Sequence, residues 1–152
     1  MDRFVKLKDT SINTNVILPS EELFKRRLVE VLSDEYLVIK SHFKYCSVDF
    51  AIINKWNLKI LHLEHKQRSC HQNRYPSTII NYSKLMSYKN NYQNTILCWG
   101  YEANAVKYLV YNEELLKYQT CNCKNQEVIF IKNDMLKDGF DSLIATIIQK
   151  LK

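Results

Sequence analysis

The sequence predicts an α/β (α+β) domain in which a mixed sheet carries helices on its faces. Three observations predict it. Short runs rich in Ile, Val, Leu and aromatic residues alternate with helical stretches instead of filling one half of the chain. A length of 152 residues with 46% apolar residues suffices for one sizeable core. Two glycines and two prolines leave no room for a linker, and no repeat or low-complexity tract interrupts the chain, so residues 1–152 read as one domain.

Each element follows from local chemistry. Pro19-Ser20 opens a helix over about 20–33, with Ser20 as N-cap, Glu21 and Glu22 in the first turn, and Leu23, Phe24, Leu28, Val31 and Leu32 near helical spacing. Tyr36 to Lys40 reads as a first strand and Cys46 to Asn54 as a second. Asn54-Lys55-Trp56-Asn57 is turn-like. Leu58 to Lys66 is a third strand, with Leu58, Ile60, His62, Glu64 and Lys66 on one face and Lys59, Leu61, Leu63 and His65 on the other. Pro76-Ser77 opens a second long helix, about 77–91; strands follow over Thr95 to Tyr101 and Ala105 to Tyr111, joined by a turn at Glu102-Ala103-Asn104. Asn112 caps a short helix, Val128 to Lys132 is a sixth strand, and Asp141 caps a last helix whose Leu143, Ile144, Ile147, Ile148 and Leu151 form one apolar stripe.

The net charge of +6 permits nucleic acid or an anionic surface as partner. Lys, Asn, Ile and Tyr, all with AT-rich codons, make up 55 residues, so part of that charge reflects genome composition of a viral, phage or low-GC bacterial kind. No apolar run reaches a membrane span, and Met1 to Lys6 lacks the apolar core of a signal peptide, so an intracellular protein without a membrane partner is expected. Five cysteines, an odd count, argue against a disulfide framework; Cys121-Asn122-Cys123 reads as free thiols in a loop. Two glycines, Gly100 and Gly139, exclude a P-loop, a dinucleotide fingerprint and a Gly-x-Ser-x-Gly elbow.

The chemistry concentrates in Asp49 and, after fourteen intervening residues, Glu64 and Lys66. Glu64 and Lys66, two apart on a strand, share a face, and in a suitable register Asp49 projects beside them. Carboxylates in otherwise apolar strands are costly unless paired or bound to metal. Two carboxylates and a main-chain carbonyl suit a hard divalent cation, and a lysine beside it can orient a water and offset charge developing on a phosphate. The same three residues equally fit a cross-strand Asp49–Lys66 ion pair with Glu64 solvated. Residues 65–101 contain no Asp or Glu but carry Lys66, Arg68, Arg74, Lys84 and Lys89, and Tyr75, Tyr82, Tyr88, Tyr92 and Tyr101, a composition suited to a polyanion. Lys25, Arg26 and Arg27 form a second basic cluster. His62, His65, Cys70 and His71 crowd the motif, but His62 and His65 face opposite sides of a strand, which is poor geometry for a shared zinc.

On Val48-Asp49 and Leu63-Glu64-His65-Lys66, in the order helix, three strands, helix, strand, the chain resembles the PD-(D/E)XK nuclease superfamily of restriction enzymes, junction resolvases and repair or phage nucleases. Val48 stands where the Pro that names the motif is found. The resemblance covers roughly residues 20–111 and leaves 112–152 as a strand and helix extension. It implies a restriction-endonuclease-like core, helix–three strands–helix–strand, with a mixed central sheet flanked by helices. It implies that Asp49, Glu64 and the His65 carbonyl hold Mg²⁺ or Mn²⁺ and that Lys66 assists the attacking water. It further implies an acid from the first helix, Glu22 before Glu21 or Glu30, and contacts from Gln67, Arg68 and Lys84 to nucleic acid, to which Arg74 and Tyr75 are added from the basic, aromatic stretch. The expected activity is a metal-dependent nuclease, endonucleolytic rather than exonucleolytic, leaving 5′-phosphates, with DNA favoured over RNA and a homodimer plausible because two strands need two sites. The alternative is a catalytically inactive nucleic-acid-binding or scaffold domain of the same fold.

Overall fold

The structure, a computed structural model, describes residues 19–41 and 48–152. It is α+β, with a mixed six-stranded sheet, a second three-stranded sheet and three α-helices among the described residues. Helix α1 (Pro19–Val31) leads into β1 (Tyr36–Lys40), β2 (Phe50–Asn54) and β3 (Ile60–Gln67), which pair antiparallel in that order. β4 (Ser77–Asn81) and α2 (Tyr82–Asn91) then cross over to β5 (Thr95–Gly100), which lies parallel to β3 with Glu64 opposite Leu97. β6 (Val106–Val110) pairs antiparallel with β5, and β9 (Lys137–Asp138) closes that edge. β7 (Cys121–Cys123) and β8 (Gln126–Lys132) join β4 in the small sheet, in the order β4-β8-β7, before α3 (Phe140–Lys150).

The large sheet separates two cores. On one face α1 and α3 bury Phe24, Leu28, Leu143, Ile147 and Leu151 against Phe50, Ile52, Leu61 and Leu63. On the other, α2 and the small sheet bury Leu85, Tyr88, Ile80, Ile129 and Ile131 against Leu97 and Trp99. The apolar stripe read in the C-terminal helix is thus core packing: Leu143, Ile144 and Ile147 are buried and Ile148 packs on their cluster. Residues 112–152 are no appendage, since β8 and α3 each complete one of the two cores.

Several elements depart from the sequence reading for identifiable reasons. α1 starts at Pro19, so Ser20 lies inside the first turn and not at the cap; a proline at a first helical position needs no N–H there. The second helix is shorter than expected: 77–81 is the strand β4, because Thr78, Ile79 and Ile80 are β-branched in succession and β8 supplies a partner, with Ile79 opposite Phe130. The last helix is preceded by Gly139 at φ 99°, where a side chain would be strained; Asp141 sits in the first turn. The β7–β8 hairpin closes over Lys124 and Asn125, both at positive φ, the signature of a two-residue primed turn; it places Cys121 and Cys123 on a short strand and not in a loop. Asn112 does cap the short turn of helix over Glu113–Lys117, accepting from the Glu114 N–H at 3.0 Å. Among the described residues no helix is long and apolar enough to cross a membrane.

Candidate functional site

β3 delivers the site. Its alternation sends Leu61 and Leu63 into the α1–α3 core and His65 against Phe24, ring centroids 4.2 Å apart. Glu64 and Lys66 project to the opposite side, where they line a cleft of about 160 Å³ with Arg68 and Lys84. Asp49 arrives one residue before β2. Its backbone N–H donates to the Leu63 carbonyl at 2.8 Å, while its Oδ2 accepts the His65 N–H at 2.7 Å. An Asp side chain here replaces a ladder carbonyl, so the regular strand starts at Phe50 and Asp49 stands just outside it. The expected start at Cys46 lies outside the described residues.

The electrostatics are those of crowded acids in a dry place. Glu64 is 4% exposed. Burial, then the charge and hydrogen bond of Asp49, push its carboxyl up to about 8, against the pull of the Lys84 ammonium that pairs with it. Burial and then Asp49 also raise Glu21, which reaches in from α1 and pairs with the buried Lys40 at the end of β1. Lys66 is lowered, by burial first and by Lys84 next, which makes its amine easier to deprotonate than an ordinary lysine. Burial lowers His65 to about 4, so its imidazole is neutral near pH 7 and serves as packing against Phe24.

Among the described residues no three His, Cys, Asp or Glu side chains form a ready-made metal shell. The donor set nevertheless fits a hard cation. Asp49 has one oxygen committed to the His65 N–H, its carboxyl hydrogen-bonds with that of Glu64 beside it, and the strand directs the His65 carbonyl to the same side as its N–H, toward Asp49. Two neighbouring carboxyls, one raised by the other, are the arrangement that a divalent ion relieves.

The expected residues do not all meet. Asp49, Glu64, Lys66, Arg68 and Lys84 converge, with Lys84 as the ion-pair partner of Glu64. From α1 it is Glu21, not Glu22, that Asp49 reaches; Glu30 lies about 13.5 Å further along the helix axis. Gln67 falls on the far face of β3 with His65 and Gly100, in a cleft under α1, and is separated from Lys66 by the sheet. Tyr75 lines a second cleft that adjoins the first at Arg68 and Ile79; the Arg74 guanidinium lies 5.7 Å from its ring. Of the five tyrosines in the acid-free stretch, Tyr88 and Tyr101 are buried and Tyr92 packs on His62, ring centroids 4.7 Å apart, so much of that aromatic signal is core. In the basic cluster of α1, Arg27 stacks over Phe140 at 4.1 Å. Sequence reasoning missed Lys40 and the cleft wall formed by Ile79, Trp99 and Gln126. A lysine ending the apolar run Tyr36-Leu37-Val38-Ile39 was a usable signal, because a buried ammonium requires an acid nearby.

Compared with known proteins, the chain matches no family model, no curated protein and no solved structure at a significant level.

The raised Glu64 carboxyl has a thermodynamic signature. Below its ordinary value of 4.5 the group is protonated in both folded and unfolded chains; between there and about 8 the folded chain holds a proton that the unfolded chain has lost. Stability therefore falls as pH rises through that window. In EDTA, between about pH 6.5 and about pH 8.5, the wild type should lose about 1–2 kcal/mol through this group, and Glu64→Gln should flatten the slope. Chemical denaturation at the two pH values measures it; an unchanged slope in the variant would place the titration elsewhere.

Proposed function

We propose that the protein is a divalent-metal-dependent nuclease with a restriction-endonuclease-like core, hydrolysing phosphodiester bonds of DNA in preference to RNA. The observation that carries this is the buried Glu64 set against Asp49 at the end of β3, with Lys66 on the same face of the strand. Asp49, Glu64 and the His65 carbonyl would hold Mg²⁺ or Mn²⁺; when bound, the ion supplies a water of lowered pKa and neutralises charge on the phosphate. Lys66 orients the attacking water and takes up its proton, for which a lowered amine pKa is the right property. Arg68, at the cleft rim, takes a neighbouring phosphate as a charge-assisted hydrogen-bond donor. Glu21 and Lys40 act behind Asp49 as a paired support that fixes the acid end of the site. Water adds to phosphorus as its proton passes to Lys66, the bond to the 3′-oxygen breaks, and that oxygen takes a proton from solvent, giving a 5′-phosphate.

One observation favours a second reading, an inactive nucleic-acid-binding domain: Lys84 already supplies Glu64 with a cation. Cleavage separates the two. The protein is incubated with supercoiled plasmid, single-stranded DNA, a four-way junction and RNA, each with Mg²⁺, Mn²⁺ or EDTA. Metal-dependent cutting abolished by EDTA supports the nuclease. Tight DNA binding without cutting in any metal, by well-folded protein, would replace it with the binding domain.

A further inference from the structure

The cleft beside Glu64 has two unlike walls. One is the large sheet, where Glu64 and Lys66 stand beside their register partners Leu97 and Trp99; the other carries Ile79 of β4 and Lys84 of α2. Trp99 is 2% exposed, and its indole N–H has no hydrogen-bond partner among the described residues. Ile79 pairs across the small sheet with Phe130, and both are exposed, 38% and 48%, on the outward face. Ile79 thus leads from the cleft onto an aromatic ring at its mouth, while Arg68 lines both this cleft and the adjoining one that holds Tyr75, itself 60% exposed.

We propose that the mouth of this cleft, at Ile79 and Phe130, receives an unpaired nucleobase, so that the substrate is single-stranded or locally unpaired DNA. The inference rests on the reading of the Asp49–Glu64 site as a phosphodiesterase and names what that site acts on. In a duplex the base faces are stacked on one another and present only their edges, so the exposed Ile79–Phe130 surface gains nothing from them. An unpaired base stacks on such a surface and leaves its phosphates to the cations Lys66, Arg68 and Lys84 of the cleft. At about 160 Å³ the cleft is below the roughly 300–1,000 Å³ of drug-sized ligand sites, the scale of one planar ring system. The two clefts contain one carboxylate between them, Glu64, so the path is cationic along its length.

The test is equilibrium binding by the full chain in EDTA, where cutting does not interfere. Labelled single-stranded DNA and blunt duplex of the same sequence are titrated by fluorescence anisotropy. The wild type should prefer the single strand. Phe130→Ala should weaken single-strand binding by at least about fivefold and leave duplex binding and the salt slope unchanged, as expected for a lost stacking surface. Arg68→Gln should weaken both and flatten the salt slope by about one phosphate's worth. Melting curves show that each variant is folded, and Tyr75→Ala offers a second exposed position if Phe130→Ala is not. Equal affinity for both forms, or an equal effect of Phe130→Ala on both, would overturn the proposal. The underlying nuclease reading fails separately: single-strand preference without cutting in Mg²⁺ leaves the base slot standing and removes the nuclease. Cutting of single-stranded DNA by Phe130→Ala at an undiminished rate, at DNA concentrations below saturation, does the reverse.

Discussion

Replacing Lys66 with Ala should lower the single-turnover rate of metal-dependent cleavage by about 10²–10⁴-fold, the range for loss of a positioned proton acceptor. The variant should remain folded, because the Lys66 side chain reaches into the cleft from an exposed strand end and fills no part of either core. The same loss removes a positive charge beside Lys84, so any change in stability should be small and favourable. Lys66→Arg separates two roles. Arginine keeps the charge but does not give up a proton in proteins, so it restores activity only if Lys66 serves the phosphate and not the water. Rates measured across pH complete the argument: the wild-type profile should carry an ionisation that Lys66→Ala lacks. Full activity in Lys66→Ala would remove this residue from the mechanism.

Asp49→Asn should abolish cleavage and, in EDTA, make the protein more stable. The neutral side chain keeps an oxygen to accept the His65 N–H and relieves the carboxyl crowding that raises both Glu64 and Glu21. Removing such a conflict is worth about 0.5–2 kcal/mol, or a few degrees in melting temperature for a chain of this length. Mg²⁺ should raise the wild-type melting temperature, by an amount equivalent to about 2.7 kcal/mol at a hundredfold excess over its Kd, and should leave the variant's nearly unchanged. A purely structural Asp49 gives the opposite pattern: the variant melts lower, and Mg²⁺ shifts neither protein. The sign of the change in EDTA therefore distinguishes an acid kept for chemistry from one kept for folding.

How much of this was legible in the sequence depends on how local the signal is. β1 was read at its true bounds because Tyr36 to Lys40 is a short apolar run closed on both sides. The Glu64–Lys66 face followed from strand alternation alone. Asp49 could be named but not placed, since its departure from the strand is made by a side-chain hydrogen bond to a backbone N–H sixteen residues away. β4 was hidden for a similar reason: Ser77 to Asn81 precedes a real helix, and only its pairing with 128–132 makes it a strand. β7 and β9, of three and two residues, carry too little pattern to be seen. The choice of Glu21 over Glu22 turns on one step around a helix, about 100° of rotation, which spacing alone does not orient without knowing which face meets β2. The Ile79–Trp99 wall joins a crossover strand to a central one and left no mark in either segment taken alone.

The pairing of Ser77 with Lys132 also sets the order in which the molecule is finished. Contacts between distant segments form slowly, because the chain must close a long loop before they reward it. During synthesis the acids and Lys66 emerge well before β8, and until residues 126–132 arrive β4 has no strand to lie against. The half-made chain therefore carries its charged groups without the wall that shapes the cleft. A segment with no apparent chemistry of its own controls when the site comes into being, and shortening the chain from that end would remove the cleft while leaving Asp49, Glu64 and Lys66 in the sequence.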